Sequence, residues 1–393
     1  MRRRDLVAVG TAAIVTAADG AQAADAPAVV LERLFRQAPV NPGWFAPSFL
    51  AQVSSDQVKA IVDDLVRRHG PVQSVAGEQG WLVVRLARAE VPAQITLDAQ
   101  GRITGLLFRP ATPIVTDLDE PARAIAALPG RTAALVLTDG RTRLEHAADV
   151  PLAVGSAFKL AVLRAVAMAC DDGRLGWDRV VRTGAADRSL PSGILQDWPA
   201  GTPITVAALA NLMIALSDNT ATDVLIRLVG HAAVSALSPR NTPFLTTRAA
   251  FVLKARANAA LRRNWAAGTP SERLAILDAA AALPLPRPAE LAPGVTSEVE
   301  WFFTARELAA LLESICWLPA LGINKGPVDP VPWRSVAFKG GSEPGVLNLS
   351  ALLATESGRR HCIVVTWNNT EETESERLIE PFRALVGKLS REE

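Results

Sequence analysis

Pro151-Leu152-Ala153-Val154-Gly155-Ser156-Ala157-Phe158-Lys159 is the stretch on which the reading of this chain turns. It joins a short segment, Pro151 to Gly155, to a helix-like run from Ala157 to Ala169. Residues three apart share one helix face, so the Lys159 amine can reach the Ser156 hydroxyl. A serine at a helix start also has free backbone N–H groups beside it, able to stabilise a developing oxyanion. Lysine is scarce: only Lys59, Lys159, Lys254, Lys325, Lys339 and Lys388 occur, and arginine supplies the other positive charges. Unlike arginine, a lysine can lose its proton when desolvated or set beside another cation, so a retained lysine points to a task arginine cannot perform. Taken alone, Ser156 reads equally as an ordinary N-cap and Lys159 as a solvated first-turn lysine.

Two further segments belong with it. Ser217-Asp218-Asn219 falls between the helical patterns Val206 to Leu216 and Ala221 to Val229, in a turn that can project Ser217 and Asn219 into a cleft. By itself it also reads as a helix cap. Lys339-Gly340-Gly341 closes an apolar strand, where glycines would let a substrate backbone lie against the strand edge, or would mark a bulge. S-x-x-K at a helix start, S-D-N between helices and K-x-G on a late strand, in that order, resemble the motif set of class A β-lactamases and penicillin-binding proteins. The resemblance covers residues from Thr132 onward. It implies Ser156 as the acylated nucleophile, Lys159 as its base, Ser217 as proton shuttle and Asn219 as a substrate-amide contact. It further implies Lys339 as the carboxylate-binding cation beside Gly340 and Gly341, with the N–H groups of Ser156 and Ser342 forming an oxyanion hole.

Other chemistries are poorly supported. The chain has no tyrosine, so a Tyr-x-Asn second motif is impossible. Gly340-Gly341-Ser342-Glu343-Pro344 breaks the G-x-S-x-G elbow of α/β-hydrolases at its last position. His69, His146, His231 and His361 are isolated, with no metal-ligand spacing, so neither a metal nor any other cofactor is expected. Two departures from the family stand out. No acidic residue occurs between Asp223 and Glu272, where a class A enzyme carries the glutamate that positions the deacylating water, so slow deacylation is expected. Gly340 also replaces the usual threonine of the third motif. The segment Asn241 to Thr247 and the two-domain arrangement resemble the serine hydrolase of clavulanic acid biosynthesis, whose N-terminal part is steroid-isomerase-like. No acid/base pair in Pro27 to Pro110 supports isomerase chemistry, so packing or substrate gating is the expected role there.

The expected fold class is therefore α/β (α+β). A β-lactamase/transpeptidase-like domain over 132–393, with an antiparallel sheet flanked by helices, follows a small α+β domain over 27–110 and a linker over 111–131. Strand-like runs are Val72 to Ala76, Trp81 to Ala87, Gln94 to Leu97, Ile103 to Phe108, Ala133 to Leu137, Arg143 to His146, Val336 to Lys339, Val346 to Ala354 and His361 to Trp367. Glu374 to Leu389 closes the chain as an amphipathic helix in which Pro381 predicts a kink or restart. A length of 393 residues with 49% hydrophobic content suits two domains with separate cores.

Forty-one Lys and Arg against 40 Asp and Glu make no electrostatic case for nucleic acid. The expected partner is a small molecule: a β-lactam, an ester or a peptidoglycan-like amide. The alternatives are a D,D-peptidase or esterase with little β-lactamase turnover, or a non-turnover β-lactam-binding protein of the cell envelope. Residues 1–23 carry three arginines, a mild apolar run and Ala21-Gln22-Ala23, the order of a secretory signal, and the adjacent arginines resemble a twin-arginine signal. An exported, periplasmic or secreted protein is expected, with no transmembrane segment. Cys170, Cys316 and Cys362 form no disulfide pattern.

Overall fold

The computed structural model describes residues 26–77, 80–296 and 298–392, so the signal-like segment lies outside the described residues. The chain divides into two compact units at Thr116/Asp117. In the first, the helices Pro27–Arg36 and Ser55–His69 belong to one unit with an antiparallel sheet in the order Val72–Ala76, Leu82–Leu86, Ala89–Leu97, Ile103–Phe108. A capping box starts the second helix: Ser54 Oγ accepts from Gln57 N at 3.2 Å, and Ser54 N donates to Gln57 Oε1 at 2.9 Å. Leu31, Leu34, Val58, Val62, Leu86 and Ile103 fill the core. The strand expected from Gln94 begins instead at Ala89 and runs through Pro92. A strand residue directs its N and O toward the same neighbour, and Pro92 O accepts from Arg109 N at 2.8 Å. The missing N–H therefore falls in the gap between Thr112–Pro113, which pairs with Ala89 and Glu90, and Ile103–Phe108, where no ladder bond is lost.

The division between the units falls inside residues 111–131, the expected linker, which also carries regular structure. Thr112–Pro113 is a strand of the first unit, and Asp119–Ala126 is a helix of the second with Ile125 fully buried. Pro121 misleads here: it sits in the helix's first turn, where a proline removes no intrahelical bond.

The second unit is built on a five-stranded antiparallel sheet in the order Ser335–Glu343, Val346–Ala354, Arg360–Asn368, Arg131–Thr138, Arg141–His146. Side chains alternate across a strand, so an apolar run with both faces covered feeds two cores at once. Ala133, Leu135 and Leu137 join the larger core with the helices Lys159–Asp171 and Ala305–Ile315; Ala134 and Val136 face the smaller one, with Asp119–Ala126 and Glu376–Ser390. The last of these helices continues through Pro381 without the expected restart, because Leu378, Phe382, Leu385 and Leu389, on both sides of the proline, all pack into that core. The helices Val206–Ala215, Asn219–Val229 and Thr247–Lys254 extend the larger core away from the sheet. Among the described residues no single helix is long and apolar enough to cross a membrane.

Candidate active site

The turn carrying Ser156 is held from several sides. Asn368, at the end of a sheet strand, accepts from Ala153 N and donates to Ala153 O, both at 2.8 Å. Val154 N donates to Trp301 O at 3.1 Å, and Phe158 stacks on Trp301 with ring centroids 3.8 Å apart. One 3₁₀ turn, Gly155–Phe158, then leads into the helix Lys159–Asp171. Gly155 adopts φ 49°, a left-handed conformation that favours glycine. Gly341 sits two residues before the end of the strand Ser335–Glu343, and a Cβ there would overlap Val154 O and the N atoms of Ser156 and Ala157. Its lack of a side chain serves the approach of strand to nucleophile turn. Ser342 is exposed next to it, and Gly340 is half-buried.

Ser156, Lys159, Ser217, Asn219 and Lys339, drawn from three distant segments, converge. Lys159 is fully buried, and its Nζ lies 2.6 Å from Ser217 O, 2.7 Å from Asn219 Oδ1, 3.1 Å from Ser217 Oγ and 3.3 Å from Ser156 Oγ. The two shortest contacts are to atoms that only accept. A neutral amine has two N–H donors, and these two acceptors use both, which leaves its lone pair for a hydroxyl. Ser217 reaches this position with φ 54°, a strained backbone for a residue with a Cβ, and its carbonyl is further fixed by Ser192 Oγ at 2.7 Å. Lys339 Nζ lies 3.2 Å from Ser217 Oγ and also donates to Gly340 O.

The electrostatics follow from burial. Desolvation, and next the Lys339 charge, hold the Lys159 amine well below the usual lysine range. Burial pushes Lys339 down to about 7. A nucleophile hydroxyl, a depressed amine able to take its proton, a hydroxyl linking that amine to a second one, and backbone N–H groups at a helix start can together perform acyl transfer. The Asn219 amide faces the lysine rather than open space: Oδ1 accepts from Lys159, and Nδ2 donates to Leu190 O at 3.0 Å, leaving one N–H for a ligand.

Several participants escape a reading of motifs. Asp218 is fully buried and accepts from Ile194 N, Leu195 N and Ala221 N at 2.7 to 2.8 Å, tying the loop around 194 to the S-D-N turn. The loop without acids is held by Arg240, which pairs with Glu307 outside the loop, by Asn241, which bonds both ways with Phe302, and by Phe244 N, which donates to Ser235 Oγ. At its end, buried Thr247 accompanies Ser156, Asn219, Lys254 and Glu343 along a narrow cleft. Lys254 is itself buried, with Glu300 Oε1 at 2.6 Å and Glu343 Oε2 at 3.5 Å. The scarcity of lysine marks Lys254 in the sequence as it marks Lys159, but no motif surrounds it.

A sheet covered by helices, with serine and lysine converging at a helix start, defines a chain built like the serine-dependent penicillin-recognising proteins. The family model described as the Beta-lactamase enzyme family matches residues 119–317, just over half of the chain, and the protein belongs to that family of hydrolases. A β-lactamase from Sphaerobacter thermophilus DSM 20745 is similar in fold, with 21% identity and a TM-score of 0.50 over 70% of this chain and 97% of that one. PBP-A matches at 15% identity and TM-score 0.48, over 72% of this chain and 99% of that one. An ancestral class A β-lactamase matches at 21% identity and TM-score 0.47, over 70% and 98%. No curated protein matches the chain.

Proposed function

We propose that the protein is a serine hydrolase that forms an acyl-enzyme on Ser156 and acts on β-lactams or related amides and esters. The observation that carries this reading is the buried Lys159 amine, with both donors met by Ser217 O and Asn219 Oδ1, 3.3 Å from the Ser156 hydroxyl. Lys159 takes the Ser156 proton as Oγ adds to the substrate carbonyl, and the developing oxyanion is held by the N–H groups of Ser156 and Ser342. Ser217, within reach of both lysines, relays the proton to the leaving nitrogen or oxygen. Lys339 holds the substrate carboxylate while it is charged.

The glutamate-free loop over 238–247 favours a second emphasis within the same chemistry, a D,D-peptidase or esterase with little β-lactamase turnover. Export rests on the order of basic, apolar and Ala-x-Ala segments in residues 1–23. Intact-mass spectrometry after incubation with a penicillin or an activated ester tests the central claim. One covalent adduct is expected on the wild type and none on Ser156→Ala; equal labelling of the two removes Ser156 as nucleophile. Comparing turnover of a cephalosporin, a short ester and a D-Ala-D-Ala peptide separates the two emphases.

A further inference from the structure

An acyl-enzyme must be hydrolysed by something, and the loop that carries the deacylating glutamate in class A enzymes has no acid here. Three carboxylates act electrostatically on Lys159: Asp218, Asp223 and Glu343. Asp218 is fully buried with three backbone N–H donors on it, and Asp223 is buried with Thr247 N, Thr247 Oγ1 and Arg248 N on it. Neither can receive a water beside the nucleophile. Glu343 differs: its side chain is about a quarter exposed at 25%, and it lines the cleft that Ser156 also lines. That cleft leaves a volume of about 10 Å³, the scale of a single water.

We propose that Glu343, on the strand that carries Lys339, is the general base of deacylation, an inference that rests on the Ser156 acyl-enzyme reading. The strand places it there: Glu343 follows Ser342 directly, and Gly341 packs against the Ser156 turn. Lys254 orients the carboxylate: its ammonium lies 3.5 Å from Glu343 Oε2 and 2.6 Å from Glu300 Oε1, so it bridges the two acids. Glu300 keeps a second oxygen, Oε2, with no hydrogen-bond partner among the described residues.

The step balances as a hydrolysis. Glu343 takes one proton from water as the water oxygen bonds to the acyl carbon, and the carbonyl electron pair moves onto its oxygen. The tetrahedral species collapses with cleavage of the bond from carbon to Ser156 Oγ. The proton on Glu343 passes to Oγ, which releases a carboxylic acid and restores both residues.

The test follows adduct formation and decay by intact mass on the full chain with benzylpenicillin and with an activated ester, for wild type, Glu343→Gln and Glu343→Asp. E343Q should acylate Ser156 and hold the adduct about 100-fold longer, with E343D intermediate. Adduct decay in E343Q at the wild-type rate overturns the assignment while leaving the nucleophile intact. A wild type that never labels at Ser156 overturns both. Should E343Q fail to fold, E343D decides alone: a lifetime equal to wild type rejects the assignment, and a longer one supports it.

Discussion

Lys159 Nζ and Lys339 Nζ both reach one hydroxyl, Ser217 Oγ, at 3.1 and 3.2 Å. A hydroxyl donates a single proton, so at least one amine must donate to it, and two ammonium groups so placed repel. Burial and then the Lys339 charge hold Lys159 well below the usual lysine range, and burial lowers Lys339 to about 7.

Acylation by a substrate bearing a carboxylate should therefore rise with pH as Lys159 loses its proton and fall above about pH 7 as Lys339 loses its own. A neutral ester should show the rising limb only. Lys339→Arg keeps its charge at every accessible pH and should remove the falling limb. Stopped-flow acylation across pH with both substrate types measures this; a falling limb shared by the neutral ester would assign it to another group.

The identity of residue 159 is the sharper kinetic test. Arginine reaches as far but stays protonated, and its guanidinium cannot present a lone pair to Ser156. K159R should lower the acylation rate by about 10³, within the range lost when a positioned general base is removed. Substrate affinity, read from competition at equilibrium, should change far less. A K159R enzyme within about tenfold of wild type would reassign the base.

Gly341 is a packing prediction with a catalytic readout. A Cβ there overlaps Val154 O and Ser156 N, so Gly341→Ala must push the strand off the nucleophile turn. The cost of such overpacking is about 1–3 kcal/mol of stability. The same displacement widens the gap between Ser342 and Ser156, so acylation should fall by more than the stability loss explains. Denaturant melts together with adduct formation rates on the folded fraction separate the two effects.

How much of this was legible in the sequence depends on the range of the interactions involved. Ser156, Lys159, Ser217, Asn219 and Lys339 carry local motifs, and their convergence follows from the resemblance those motifs establish. The apolar runs at Ala133 to Leu137 and His361 to Trp367 read as strands because alternation feeds two buried faces. Two prolines read differently in the fold: the closing helix continues through Pro381, and Pro121, inside the expected linker, occupies a first helical turn. Lys254, Glu300 and Glu343 were invisible as a group, because only folding brings residues 254, 300 and 343 together and none of them sits in a recognisable spacing. Asp218 shows the opposite limit. It lay inside a motif, yet its contacts with Ile194 and Leu195 belong to a loop no pattern connects to it.

Asp223 makes the last prediction, and it concerns stability. Its carboxylate accepts from Thr247 N at 2.7 Å, Thr247 Oγ1 at 2.9 Å and Arg248 N at 2.8 Å, fixing the start of the helix Thr247–Lys254 beside the site. Burial outweighs those bonds and raises the group from 3.8 to about 7. A folded-state value above the unfolded one means that the native protein binds the proton more tightly. The associated stability is fully present below the unfolded value and is lost as pH rises through about 7. Asp223→Asn cannot titrate, so wild-type stability should fall relative to it between about pH 4 and pH 8, by on the order of 4 kcal/mol. Thermal or urea melts of both proteins across that window measure the difference. A constant gap would mean that the backbone N–H groups on the carboxylate hold it ionised, and that the helix start is charged rather than neutral.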